Sequence, residues 1–217
     1  APDLALQVAE QPGGMAEVIL QVRKGADRGR LTAALAREGV HVRRGFKSID
    51  GMLVSLPVSA LEQLAAEAGV EALSPDRPVM STMTTADGHV QRASGASEVV
   101  EAGLDGAGIG VAIVDSGITA GFPDLRDENG KGSSRVIARV DFADGPRKTG
   151  DPYGHGTHVA VLAAGNGSVS REYGENFSGV APAANLIDVR VLDDRGNGRV
   201  SRVIDGLDWI LAHHQRH

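Results

Sequence analysis

The stretch DPYGHGTHVA, from Asp151 to Ala160, holds two histidines three apart with a glycine on either side of the first. An imidazole has the one side-chain pKa that ordinarily lies near neutral pH, so it can move protons or ligate a metal. Zinc-binding helices space their histidines four apart with a glutamate between, as in H-E-x-x-H. His155 and His158 break that spacing, no glutamate separates them, and the chain has no cysteine. The pattern therefore fits proton chemistry better than metal binding, with a plain hydrogen-bonded histidine as the simpler alternative. A second candidate is Asp115, at the end of the apolar run VAIVD. A carboxylate there invites a function, yet it can equally cap the turn that Ser116 and Gly117 begin. Glycines beside His155 let the backbone approach other groups closely.

The elements around these residues fall into two grammars. Residues 1–15 read as a loose leader containing Pro2, Pro12, Gly13 and Gly14. Alternation in EVILQVR then predicts a strand, with Val18, Leu20 and Val22 on one face. Residues 27–38 read as a helix with Leu31, Ala34 and Leu35 inward and Gly39 at its stop. Runs at 40–49 and 52–56 join at Asp50-Gly51, a hairpin turn signal. Ser59 and Glu62 have the spacing of a capping box, opening a helix lined by Leu61, Leu64, Ala65 and Ala68. A last strand is expected near 70–73. The order β-α-β-β-α-β is the ferredoxin-like plan.

A boundary is expected near residues 80–85, after Pro75 and Pro78, with a short helix at about 95–102. Beyond it, GVAIVDSG is apolar on both faces, as a strand inside a parallel sheet is. RVIARVDF (135–142) and ANLIDVRVL (184–192) read as further strands. HVAVLAAG reads as a short buried helix. Residues 200–212 read as a helix with Val200, Val203, Ile204, Leu207 and Leu211 inward, and Gly206 marks close packing. Strands alternating with helices define an α/β domain with a largely parallel sheet, whose active groups gather beyond the carboxyl ends of the strands.

Composition excludes several classes. Hydrophobic residues make up 41% of the 217, enough to bury a core, and the net charge is −6. No basic block marks a nucleic-acid binder, so none is expected as a partner. Without cysteine there are no disulfides and no thiolate nucleophile. No apolar run is long enough to cross a membrane. The first residues lack the basic and apolar regions of a signal peptide. The series Gly106-x-Gly108-x-Gly110 precedes its strand rather than following it, so the dinucleotide fingerprint fails.

Taken together, VAIVDSGI ending at Ile118, HGTHVA (155–160) and GVAPAANLIDVRVL (179–192) resemble the subtilisin-like serine proteases. The resemblance covers about residues 88–217, with three motifs in family order. It implies that Asp115 is the catalytic aspartate and His155 the catalytic histidine of an Asp-His-Ser triad; His158 matches a position outside it. In such a triad the histidine takes the serine proton and hands it to the leaving amine, while the aspartate fixes its tautomer. The resemblance further implies that residues 16–80 form an α+β propeptide that packs on its own catalytic domain, residues 81–217, with cleavage within 78–86. It implies polypeptide substrates, a secreted product, no cofactor for the chemistry, and a structural calcium ion for which Asp124 matches a ligand position. An exposed turn aspartate is the simpler reading of Asp124.

Two departures qualify this. No G-T-S-x-A nucleophile motif follows His155. Ser168 and Ser170 lie in a polar loop, Ser178 ends one, and Ser201 reads as a helix cap. The 217 residues alone are thus expected to be inactive and to fold poorly. They read as the precursor of a serine endopeptidase without its serine half, or as an inactive fragment whose N-terminal module binds a protease. Val161 stands where the family has glycine, which threatens overpacking near His155. Asp188 and Arg190 are read as solvated or locally paired, and Asp193 and Asp194 as turn formers.

Overall fold

Alternate residues of MAEVILQV do bury: Ala16, Val18, Leu20 and Val22 enter a core from β1 (Met15–Val22), while Glu17 and Gln21 face solvent. A computed structural model of the protein describes Leu4 and residues 13–80, 90–145 and 150–215. The chain divides into two units, Ala1–Pro78 and Val79–His217.

In the first unit, Asp27 caps α1 (Arg28–Arg37), its carboxylate accepting the Arg30 N–H at 3.0 Å. Leu31, Ala34 and Leu35 form the buried stripe of that helix. Strands β2 (His41–Gly45) and β3 (Gly51–Pro57), helix α2 (Leu61–Ala65) and strand β4 (Val70–Pro75) follow. The four strands make one antiparallel sheet in the order β2-β3-β1-β4. Leu4, in the stretch expected to be a loose leader, is buried in the same core as Leu20, Leu35, Leu56 and Leu64. The capping box does not form. The chain makes a 3-10 turn at Val58–Ala60, Ser59 is exposed, and no side chain caps α2. The β2–β3 connection is longer than a two-residue turn, closed where the Phe46 N–H bonds the Gly51 carbonyl.

The second unit has a three-stranded parallel sheet. Strands β6 (Gly110–Asp115), β7 (Val136–Asp141) and β8 (Asn185–Arg190) lie in the order β6-β8-β7. Val111 and Ile113 of β6 join one apolar cluster with Ala160 and Ala164 of α5 (His155–Ala164). Ala112 and Val114 join the other with Val203, Trp209 and Ile210 of α6 (Val200–His213). That two-sided burial is why the run VAIV before Asp115 is apolar throughout. The helix expected at about 95–102 is α4 (Ala96–Glu101), and a second short helix, α3 (Val90–Ser94), precedes it across Gly95. Val79 and Met80 of β5 (Pro78–Met80) pair with β9 (Asn197–Arg199) in a small separate sheet.

Helix α6 is turned differently from the sequence expectation. Leu207 and Leu211 are 45% and 59% exposed and Ser201 is buried instead, while Gly206 is buried in close packing as expected. Gly206 explains the rotation. A Cβ there would stand only 3.0 Å and 3.1 Å from the Cγ1 atoms of Val189 and Val191, so its absence lets the helix lie directly on β8. Val161 is half-buried at the edge of the α5 cluster.

Candidate active site

Parallel register brings Asp115, Arg190 and Asp141 side by side at the carboxyl ends of β6, β8 and β7. The chain then turns sharply. Gly117 takes φ +120°, and the loop meets the first turn of α5, where a Cβ on Gly156 would collide with the Gly117 carbonyl oxygen. Backbone therefore touches backbone at this junction. Gly154, at φ +90°, delivers the chain into α5 in a conformation that L side chains rarely adopt.

Across the junction the imidazole of His155 meets the carboxylate of Asp115. Nδ1 lies 2.8 Å from both Oδ1 and Oδ2. A neutral ring in this setting donates from Nδ1, which leaves Nε2 as the acceptor. Asp115 is 9% exposed, and its Oδ1 also accepts the Ser116 N–H at 2.7 Å. Half-buried His155 has the ring of Tyr153 with its centroid 6.4 Å away. Val161 leaves the Asp115–His155 contact intact.

Around this pair stands a polar layer that sequence reasoning did not foresee. Asp151 is buried and accepts four hydrogen bonds from residues flanking the pair. Arg190 is 4% exposed rather than solvated. Its Nε donates to the Ser116 carbonyl at 3.1 Å, Nη1 to Asp141 at 2.8 Å and Nη2 to Asp194 at 2.9 Å. Asp188 is also buried, at 6% exposure, with Arg139 Nε 3.6 Å from Oδ2. Its Oδ1 has no hydrogen-bond partner. Burial pushes its carboxyl up to about 6, against the pull of the Arg139 guanidinium and the Ile118 amide. Asp193 does form a turn, accepting the N–H groups of Arg195 and Asn197.

Asp124 lies in the loop that follows β6. It is 6% exposed, not an exposed turn residue, and its Oδ1 accepts from Ser168 Oγ at 2.7 Å and the Val169 N–H at 2.8 Å. Beside it, buried Arg135 donates to the carbonyls of Asp124, Ala164 and Ala184. Burial pulls Arg135 below the ordinary guanidinium range, with Asp127 and Asp124 opposing. Among the described residues no group of three or more His, Asp or Glu side chains could hold a metal ion. A calcium ion needs six to eight oxygens; a carboxylate already anchoring a loop beside a guanidinium does not fit one. His158 is not brought to Asp115 with His155; it sits within α5, its N–H bonded to the Gly154 carbonyl.

The serines go elsewhere. Besides Ser168, Ser170 Oγ donates to the Gly167 carbonyl and Ser178 Oγ to Asn176 Oδ1. Ser201 lies inside α6, one residue past its start, and the helix has no side-chain cap bond.

The serine protease AprX of Bacillus subtilis is 34% identical over 173 residues, which are 78% of this chain and 36% of that protein. Subtilisin E of the same organism is 29% identical over 183 residues, 82% of this chain and 43% of that protein. The chain thus spans about two fifths of the length of these relatives. The crystal structure of fervidolysin from Fervidobacterium pennivorans, a keratinolytic enzyme related to subtilisin, superposes with a TM-score of 0.64. At 18% identity, over 94% of this chain and 35% of that one, it shows a shared α/β fold. The model of the subtilase family matches residues 106–216, from just before β6 through α6, with both Asp115 and His155 inside the match. By that match, over half its length, the chain belongs to the subtilase family.

Proposed function

We propose that these residues form the propeptide and acid–base half of a serine endopeptidase that hydrolyses polypeptides outside the cell. One observation carries the reading: His155 Nδ1 stands 2.8 Å from both oxygens of a buried Asp115 at the carboxyl end of the sheet. A serine hydroxyl is too weak an acid to attack an amide unaided. Nε2 of His155 takes its proton as the tetrahedral intermediate forms, then delivers it to the departing amine. Asp115 holds the ring with Nδ1–H toward itself, so that Nε2 is free to accept. It also stabilises the imidazolium that forms, without taking the proton. The nucleophilic serine and the oxyanion donors come from sequence beyond these residues. No metal takes part in the chemistry.

The first unit acts as propeptide, assisting folding of the second unit and restraining it until the chain is cut within residues 78–86. Its strand-helix-strand-strand-helix-strand order supports that role. Residues 81–89 lie outside the described residues. Extracellular action is consistent with relatives such as the minor extracellular protease Vpr of Bacillus subtilis. No helix among the described residues is long and apolar enough to cross a membrane.

The test is digestion of an unfolded polypeptide such as casein by the full-length protein. Activity should be abolished by a serine-directed sulfonyl fluoride and by His155→Ala. Digestion surviving both treatments would end the proposal. So would finding no activity in the full-length protein while isolated residues 16–80 inhibit another subtilase, which would favour the inhibitor module.

A further inference from the structure

We propose that Asp151 is a positioning residue for the Asp115–His155 pair: it clamps the loop carrying the carboxylate to the helix start carrying the imidazole. The inference rests on the acid–base reading given above and names a residue that the reaction itself does not use. Asp151 is 9% exposed and stands four residues before His155. Its Oδ1 accepts the Ser116 Oγ–H at 2.8 Å and the Gly154 N–H at 2.9 Å. Its Oδ2 accepts both the N–H and the Oγ1–H of Thr157 at 2.8 Å. Ser116 follows Asp115 directly, and Gly154 and Thr157 bracket His155. One side chain thus grips both carriers of the pair.

The two hydroxyls extend the grip. Ser116 Oγ accepts the Gly156 N–H at 3.0 Å, and Thr157 Oγ1 accepts the Thr119 N–H at 3.0 Å. Each hydroxyl therefore donates to Asp151 and accepts a backbone N–H from the opposite element. Only a carboxylate suits the centre, because all four incoming groups are donors and an ionised carboxyl is acceptor-only. An amide in its place would turn an N–H₂ toward two of those donors. A helix cap alone would engage Gly154 and Thr157; it gives no reason for the fourth bond, to Ser116 on the other loop. The geometry needs such a clamp, since a displacement of about 1 Å at a reacting group costs roughly 100-fold in rate.

The test has two arms. In the first, the chain is labelled with 15N-histidine and the Nδ1 proton of His155 is followed by NMR. Asp151→Asn should abolish or broaden that resonance while the dispersion of backbone amides is kept. Should Asp151→Asn not fold, Ser116→Ala decides: it removes the direct bond between Asp151 and the residue next to Asp115, leaves the helix cap and the Thr119–Thr157 bond, and should affect the resonance in the same way. A resonance unchanged in the folded variants would overturn the proposal. In the second arm, Asp151→Asn in the full-length protease should lower kcat roughly 10- to 100-fold with KM within about twofold. In an Asp115→Asn background the same change should alter kcat by less than about twofold, because its effect passes through the pair. An undiminished loss in that background would show a merely structural role. Full activity in His155→Ala would instead refute the proteolytic reading, and the NMR arm would still decide the clamp.

Discussion

Asp188→Asn removes a buried charge whose cost the structure lets one estimate. Asp188 lies on the central strand at 6% exposure, and Arg139 approaches no closer than 3.6 Å. One carboxylate oxygen lacks any hydrogen bond. Burial is the leading cause of a carboxyl pushed from 3.8 to about 6. Because the folded state holds this proton more tightly than the unfolded chain, the contribution of this carboxyl to stability is greatest below pH 4. It falls as pH rises from about 4 to about 6 and is flat above. At about 1.4 kcal/mol per unit of pKa, the loss is on the order of 3 kcal/mol. Asparagine carries no such proton, so the variant should lack this pH dependence. The assay is urea unfolding followed by fluorescence of Trp209, the single tryptophan, which lies in the second unit. Relative to wild type, the midpoint of Asp188→Asn should rise between pH 4 and pH 7 by about 1–3 M urea, given an m-value of about 1–3 kcal/mol/M. A constant offset between the two proteins across that range would refute the reasoning. So would a variant that grows relatively weaker toward neutral pH, showing the Arg139 pair to be net stabilising.

Gly156→Ala should separate the Asp115 loop from α5, because the new methyl collides with the Gly117 carbonyl. Turnover should fall by at least about 100-fold, measured with a chromogenic peptide. Asp124→Ala strips the acceptor from Ser168 Oγ and the Val169 N–H. The loss should be about 1–3 kcal/mol by the Trp209 assay, and EDTA should leave the wild-type midpoint where it was. Arg135→Met removes the donor from the buried carbonyls of Ala164 and Ala184, both at 2.6 Å, while the Asp124 carbonyl keeps the Asn166 N–H at 2.9 Å. It should cost about 3 kcal/mol or more, seen as loss of cooperative unfolding of the second unit.

The two grammars of the sequence were legible because burial imposes them. The alternation in β1 reports a sheet with one buried face, and the apolar run of β6 reports a sheet covered on both. The pairing of Asp115 with His155 was expected from the resemblance of their two motifs to the subtilisin-like proteases, not from spacing, which alone left the turn-cap reading of Asp115 open. What stayed hidden depends on three-dimensional proximity between segments far apart in sequence. Asp151 drew no reading from the sequence, because its partner Ser116 lies in another motif. Asp188 and Arg190 read as solvated or locally paired; Arg190 does pair locally with Asp194, but its burial and its bond to Asp141, like the burial of Asp188 beside Arg139, come from neighbouring strands far off in sequence. The face of α6 was misread because apolar periodicity counts Leu207 and Leu211, whereas a glycine decides how near the helix comes.

The central claim is that Asp115 and His155 act as one unit in peptide hydrolysis. The most direct measurement is kcat for a peptide substrate in the full-length protein carrying Asp115→Asn, His155→Ala, or both. Each single change should lower kcat by about 10⁴-fold or more, with substrate binding retained, and the double variant should be little worse than the weaker single. Near-normal turnover in Asp115→Asn, or losses that simply multiply in the double variant, would contradict the account.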